Sequence, residues 1–241
     1  MPHLAPGQSV LDLLLVAYAV LILPLQSVRN GRRMAAAPDA PLLPRYLKVM
    51  LRGWIAVAAV AALWLFEKRA PAALGLGDPF DDLIGLGAVI GLLIVGATAQ
   101  FRLARTMTPK RRARMRSQMR TIKILPRSTT ELVVFLGVSL TAGVWEELVY
   151  RGFLFWFLMP YAGLAGAVVL STLVFGIGHA YQGWRGVLTT TVLGLLFAIG
   201  YAASRSLWWL MAIHALIDAF GGVLTWRVLR MPEPESAPAR A

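Results

Sequence analysis

The sequence predicts an all-α fold, a polytopic transmembrane helical bundle with seven to eight membrane helices, on three observations. Of the 241 residues, 58% are apolar and the mean hydropathy is +0.65, far more hydrophobic surface than one soluble core of this length hides. Apolar runs of about 17 to 25 residues recur, the length that crosses a hydrocarbon core as a helix. Ten basic residues and no acid lie between Arg102 and Arg127, the pattern of a short loop retained on the cytoplasmic side.

The runs fall at 10–28, 46–66, 83–101, 130–158, 161–181, 187–204 and 207–229, and the unusually long fourth gives an eighth if it is broken. The first lacks a basic leader and is followed by Arg29, Arg32 and Arg33, which reads as a retained anchor that starts outside. Alternating sides from there puts 29–45 inside, the acidic turn 78–82 outside, 102–127 inside, and Arg227 with Arg230 inside. Seven crossings satisfy the positive-inside rule and leave the C-terminus cytoplasmic. Trp208, Trp209 and Trp226 flank the last run as an aromatic belt, and Gly87 with Gly91 forms a small-xxx-small pair expected to pack closely against another helix. The chain thus divides into N-terminal accessory helices over 1–127 with a basic cytoplasmic loop at 102–127, a core over 128–229, and a short Pro-rich tail at 230–241 expected to be disordered.

Composition also excludes functions. Without cysteine there is no disulfide framework, thiolate metal site or Cys nucleophile. The net charge of +12 is accounted for by topology, with anionic-lipid contact as its companion and no nucleic-acid partner. No internal repeat of the kind that marks secondary transporters is visible. GLGD at 75–78 reads as a turn in a Pro- and Asp-rich loop, and no GxSxG or serine–histidine arrangement stands out.

In the first three runs the ionisable residues lie near ends, where Asp12, Lys48 and Arg52 can reach the interface. Glu146, Glu147, Arg151, His179, His214 and Asp218 lie well inside later runs, where an ionisable group is costly and marks function by default. With a turn near 160–163 and 1.5 Å of rise per residue, Glu146 lies about 21 Å from that turn on one side and His179 about 24 Å on the other. His214 lies about 22 Å before residue 229, in the same layer. Glu147–Arg151 and His214–Asp218 are i,i+4 neighbours, whereas successive residues such as Glu146 and Glu147 point about 100° apart. Arg151 can therefore neutralise Glu147 and leave Glu146 to face a polar space.

A buried carboxylate beside a histidine can hold and deprotonate a water, which describes Glu146 with His179. A second histidine opposite can stabilise an oxyanion on a substrate carbonyl, the place of His214. The segments EELVYR (146–151), FGIGH (175–179) and HALID (214–218) resemble, in order, the motifs EExxxR, FxxxH and HxxxN/D of the CPBP family of intramembrane proteases. That family includes the type II CAAX prenyl proteases and bacterial relatives, often called Abi proteins, linked to bacteriocin maturation or self-immunity. The resemblance covers residues 128–220 and implies a CPBP-like catalytic core within an all-helical bundle, and peptide hydrolysis inside the membrane. It carries catalytic positions to Glu146, His179, His214 and Asp218, and supporting positions to Glu147, Arg151 and Phe175.

The family is often called metalloprotease, and Glu146, His179 and His214 are a conceivable Zn²⁺ set, yet no HExxH is present. The cofactor is either none or Zn²⁺. Where CAAX-type members resemble one another in an Asn at the last motif position, this chain has Asp218, which donates a hydrogen bond only when protonated. Asp218 is left three roles: a neutral acid, an orienter of His214, or a metal ligand. The expected activity is an intramembrane endopeptidase acting on a peptide or membrane-protein substrate in a bacterial plasma membrane, a source suggested by a composition rich in Ala and Arg. The alternatives are a non-catalytic scaffold or immunity protein and an ion- or proton-coupled transporter. Oligomeric state is open.

Overall fold

The computed structural model describes residues 4–37, 40–122 and 124–231. The predicted tail therefore lies outside the described residues from position 232 on, as does Lys123 of the basic stretch. Besides short 3₁₀ turns, there are eight long helices among the described residues. We number them α1 (Val10–Ala36, with a π-helical turn at Tyr18–Ile22), α2 (Leu42–Phe66), α3 (Leu83–Thr106), α4 (Pro109–Thr121), α5 (from Thr129 to residue 162), α6 (164–178), α7 (Gly183–Ser204) and α8 (Leu207–Arg230). Among the described residues there is no strand.

Six stretches are long and apolar enough to cross a membrane, one of them the 50-residue run Thr129–Gly178. That run bends at Gly163, whose φ of 64° and ψ of −177° lie in a region essentially restricted to glycine. Splitting it there separates α5 from α6 and gives seven membrane helices, as the sequence predicts. The fold is an integral, multi-pass membrane bundle.

Local chemistry sets the helix starts. Ser128 and Glu131 form a capping box, Ser128 Oγ accepting from Glu131 N (3.1 Å) and Glu131 Oε2 from Ser128 N (3.1 Å), so two orphan amides of α5 are satisfied. Thr108 caps α4 and Pro109 occupies its first turn. Part of the stretch expected to be a loop is therefore helical: the high density of Lys and Arg hides a regular N-terminal start signal. Arg116 of α4 donates to Val228 O (3.2 Å) and to Met231 O, satisfying carbonyls at the end of α8.

Helix α5 is the axis of the bundle, packed against α2 and α8, while α6 pairs with α7 and α3 rests on α8. A methyl group at Gly143 of α5 would stand 2.6 Å from Met211 O and 2.9 Å from Ala215 N of α8. Only glycine permits this approach, and it brings His214 against the glutamates of α5. Gly87 and Gly91 meet nothing within 4 Å. The close contacts of α3 are made instead by Gly85 under Trp209 and Gly96 under Phe220, so the expected small-residue seam belongs to the other face of that helix.

Asp12 also departs from expectation, for it does not reach the interface but is fully buried. Arg69 grips it with two hydrogen bonds of 2.7 and 2.8 Å, and the guanidinium lies against the T-shaped pair Trp64–Trp156, 5.0 and 4.7 Å from their ring centroids. The planar fork of Arg suits both contacts. The pair lies 57 residues apart in sequence, beyond the reach of any local spacing rule.

Candidate active site

The segment Glu147–Leu154 of α5 is π-helical, and all eight of its residues are buried. Wider turns of this kind interrupt α-helices frequently at functional sites. Here the turn carries both Glu147 and Arg151, directly after Glu146. Arg151 Nη1 donates to Glu147 Oε1 at 3.0 Å and Nη2 to Gly194 O of α7 at 3.0 Å. Its guanidinium also stacks on Phe175, 4.1 Å from the ring centroid. Arg151 thereby ties α5 to α6 and α7, and the expected Glu147–Arg151 pair is present.

Glu147 has a second partner that spacing along the chain does not show. His214 Nδ1 donates to Glu147 Oε1 at 2.7 Å, so one carboxylate oxygen accepts from both an imidazole and a guanidinium. Such charge-assisted bonds are about twice as strong as neutral ones. His179, just past the end of α6, donates from Nδ1 to Phe175 O at 2.9 Å, and its ring lies 4.6 Å from that of Phe175. Each imidazole is thus anchored through Nδ1, and its Nε2 is left for the site.

Both free nitrogens turn to the same atom. Glu146 Oε2 lies 3.5 Å from His179 Nε2 and 3.9 Å from His214 Nε2, and it accepts no hydrogen bond from the described residues. The side chains of Glu146, His179 and His214 retain 11%, 13% and 13% exposure, while those of Glu147 and Arg151 retain 0% and 1%. The inner pair is sealed, whereas the outer three keep partial exposure, with Glu146 Oε2 itself buried among them. Asp218 Oδ2 stands 3.8 Å from His214 Nε2 on a side chain that is 40% exposed, so it lies at the rim and makes no hydrogen bond to His214. The orienter of His214 is Glu147.

The structure brings together Glu146, His179, His214 and Asp218 with Glu147, Arg151 and Phe175, all seven residues singled out in the sequence. Sequence reasoning missed the Gly194 carbonyl, the Phe197 ring 5.6 Å from that of His214, and the cross-helix bond of Glu147. A signal for the last existed: an ionised carboxylate accepts up to four hydrogen bonds, and one arginine leaves capacity unused.

As to a metal, no three His, Asp or Glu side chains among the described residues form a group that could hold an ion. His214 Nδ1 is committed to Glu147 and His179 Nδ1 to the Phe175 carbonyl, which leaves the two Nε2 atoms and Glu146 Oε2 facing the site.

The fold and this cluster define a class, the multi-pass membrane protein with a carboxylate–histidine centre inside its helical bundle. Residues 128–220 match the family model described as Rce1-like, type II CAAX prenyl endopeptidase Rce1-like. That match supports the CPBP/CAAX protease family that the three motifs resemble, a family of peptidases. Comparison with curated proteins and with solved structures found no significant match.

Proposed function

We propose that this protein is an intramembrane endopeptidase in which Glu146 and His179 activate a water directly, without a metal. One observation carries the reading: Glu146 Oε2, unbonded, is flanked by the Nε2 atoms of two histidines whose Nδ1 atoms are fixed by other acceptors. Glu146 Oε2 and His179 Nε2, 3.5 Å apart, can both accept from one water seated beside them. Glu146 takes its proton while the oxygen attacks the scissile carbonyl. His214 donates from Nε2 to the developing oxyanion, with Glu147 as counter-charge behind the ring and Arg151 fixing Glu147. Glu146 returns the proton to the leaving amine, so that one water and one peptide bond give a carboxylate and an amine.

Asp218 stands at the rim on the Nε2 side of His214, where a substrate carbonyl arrives. It acts as a neutral donor there, the part played by an amide in CAAX-type relatives. The substrate is a peptide or membrane-protein segment; the family description names a prenylated protein, and a bacterial chain points to an unprenylated one. The basic end of the bundle, with Arg29, Arg32, Arg33 and the exposed Lys110, Arg111 and Arg114, faces the cytoplasm and its anionic lipids.

The test is hydrolysis in ¹⁸O-labelled water by the protein reconstituted in lipid vesicles, with a peptide library read by mass spectrometry. New termini that carry ¹⁸O in the carboxyl are expected. Peptides left intact across the library, with the protein folded, would move the reading to a scaffold.

A further inference from the structure

The family match begins at residue 128, yet the turn that carries His179 is held by a helix about 150 residues upstream. Immediately after His179 the chain makes a 3₁₀ turn, Ala180–Gln182, before α7 begins. Ser27 of α1 is buried, and its Oγ accepts from Tyr181 N at 3.0 Å. One helical turn further, Gly31 lies so close that an added methyl group would stand 3.0 Å from Tyr181 Cα and 3.5 Å from Tyr181 O. Leu23, one turn before Ser27, packs against the main core, and Ala19 beyond it is fully buried. Residues 19, 23, 27 and 31 are a stripe at four-residue spacing that lays α1 along the bundle and ends on the His179 turn. The residues off this stripe, Leu25, Val28, Arg29, Arg32 and Arg33, are exposed.

The backbone of His179 is no longer helical (φ −99°, ψ 15°); its ring is held on one side by Phe175, through the carbonyl bond and a ring contact of 4.6 Å, and meets Tyr181 at 5.8 Å between centroids. A displacement of the 180–182 turn therefore moves the His179 ring relative to Glu146. Misplacing a reacting group by about 1 Å can cost about 10²-fold in rate.

We propose that Ser27 and Gly31 of α1 are positioning residues for His179, so that the catalytic unit extends beyond the family-matched core to include the first membrane helix. This rests on the reading of His179 as partner of the water-activating Glu146. Gly31 supplies the close approach and Ser27 the hydrogen bond; together they fix the height of the turn and hence the distance from His179 Nε2 to Glu146 Oε2. Helix α1 is then part of the site rather than an accessory.

The experiment compares Gly31→Ala, Gly31→Leu, Ser27→Ala and Ser27→Thr with the outward-facing control Leu25→Ala, in the full-length protein in lipid vesicles. Two readouts are taken, kcat and KM for peptide cleavage, and the ¹⁵N shifts of labelled histidine. The chain has three histidines, so the His179 signals are assigned by one substitution. Gly31→Ala needs only a few tenths of an ångström of yielding, which keeps a folded variant in the series if Gly31→Leu does not fold. We expect kcat to fall about tenfold in Gly31→Ala and Ser27→Ala and about 100-fold in Gly31→Leu, with KM within twofold. The His179 shifts should move in the same variants, and Ser27→Thr should restore wild-type values. Unchanged His179 shifts in Gly31→Ala and Ser27→Ala overturn the proposal, as does a fall in kcat equal to that of Leu25→Ala. If wild type cleaves nothing, the hydrolytic reading fails while the ¹⁵N comparison still decides whether α1 positions His179.

Discussion

Replacing Glu147 by Gln separates the two things its carboxylate does. The side chain is fully buried and one oxygen accepts from His214 Nδ1 at 2.7 Å and from Arg151 Nη1 at 3.0 Å. Glutamine keeps the shape and one acceptor oxygen but removes the charge. Arg151, itself buried, then lacks a counter-charge, and stripping one partner from a buried ion pair costs about 3–5 kcal/mol. His214 loses the carboxylate that orients it and balances its charge, an effect of about 10²- to 10⁴-fold in rate where a buried carboxylate holds a catalytic imidazole. Glu147→Gln should therefore be both unstable and nearly inactive. The double variant Glu147→Gln/Arg151→Met should recover much of the stability, because no unpaired charge is left, but none of the activity. Thermal unfolding in detergent and kcat/KM for a fluorogenic peptide measure the two separately. Full activity in the double variant would refute the reasoning, since His214 would then need no carboxylate behind it.

Three further outcomes are expected. Arg151→Lys should lose about 1–3 kcal/mol by unfolding, because a point-like ammonium cannot serve Glu147 and the Gly194 carbonyl at once. Asp218→Asn should retain or raise kcat/KM, since an amide donates to the oxyanion in any protonation state, while Asp218→Leu should lower it about tenfold or more; peptide cleavage by the two variants reads the difference. Gly143→Ala should cost about 1–3 kcal/mol and a larger share of activity, because the added methyl meets the α8 backbone at 2.6 Å and pushes His214 from Glu147; unfolding midpoints and kcat measured together test it.

The membrane helices are legible because burial in lipid demands long apolar runs, and the residues of the cluster because ionisable groups inside such runs are costly. What spacing rules conceal is contact between helices. The i,i+4 rule finds Glu147 with Arg151 but says nothing of His214, 67 residues away. The two glutamates do part as α-helical geometry requires, and His214 lies between them, with Glu147 on its Nδ1 and Glu146 towards its Nε2. Asp12 stays hidden for the same reason, because Arg69 lies on a distant loop. The helix Pro109–Thr121 is different: its start signal, Thr108 before Pro109, stands in the sequence beneath a run of positive charge.

The central claim is that Glu146 is the base acting on water without a metal. Its most direct test is peptide cleavage by wild type and Glu146→Gln, each in vesicles with and without a strong chelator, with folding followed by thermal unfolding. Cleavage by wild type that survives chelation and disappears in a folded Glu146→Gln is the predicted result. Activity retained by Glu146→Gln, or abolished in wild type by the chelator and restored by zinc, would contradict it.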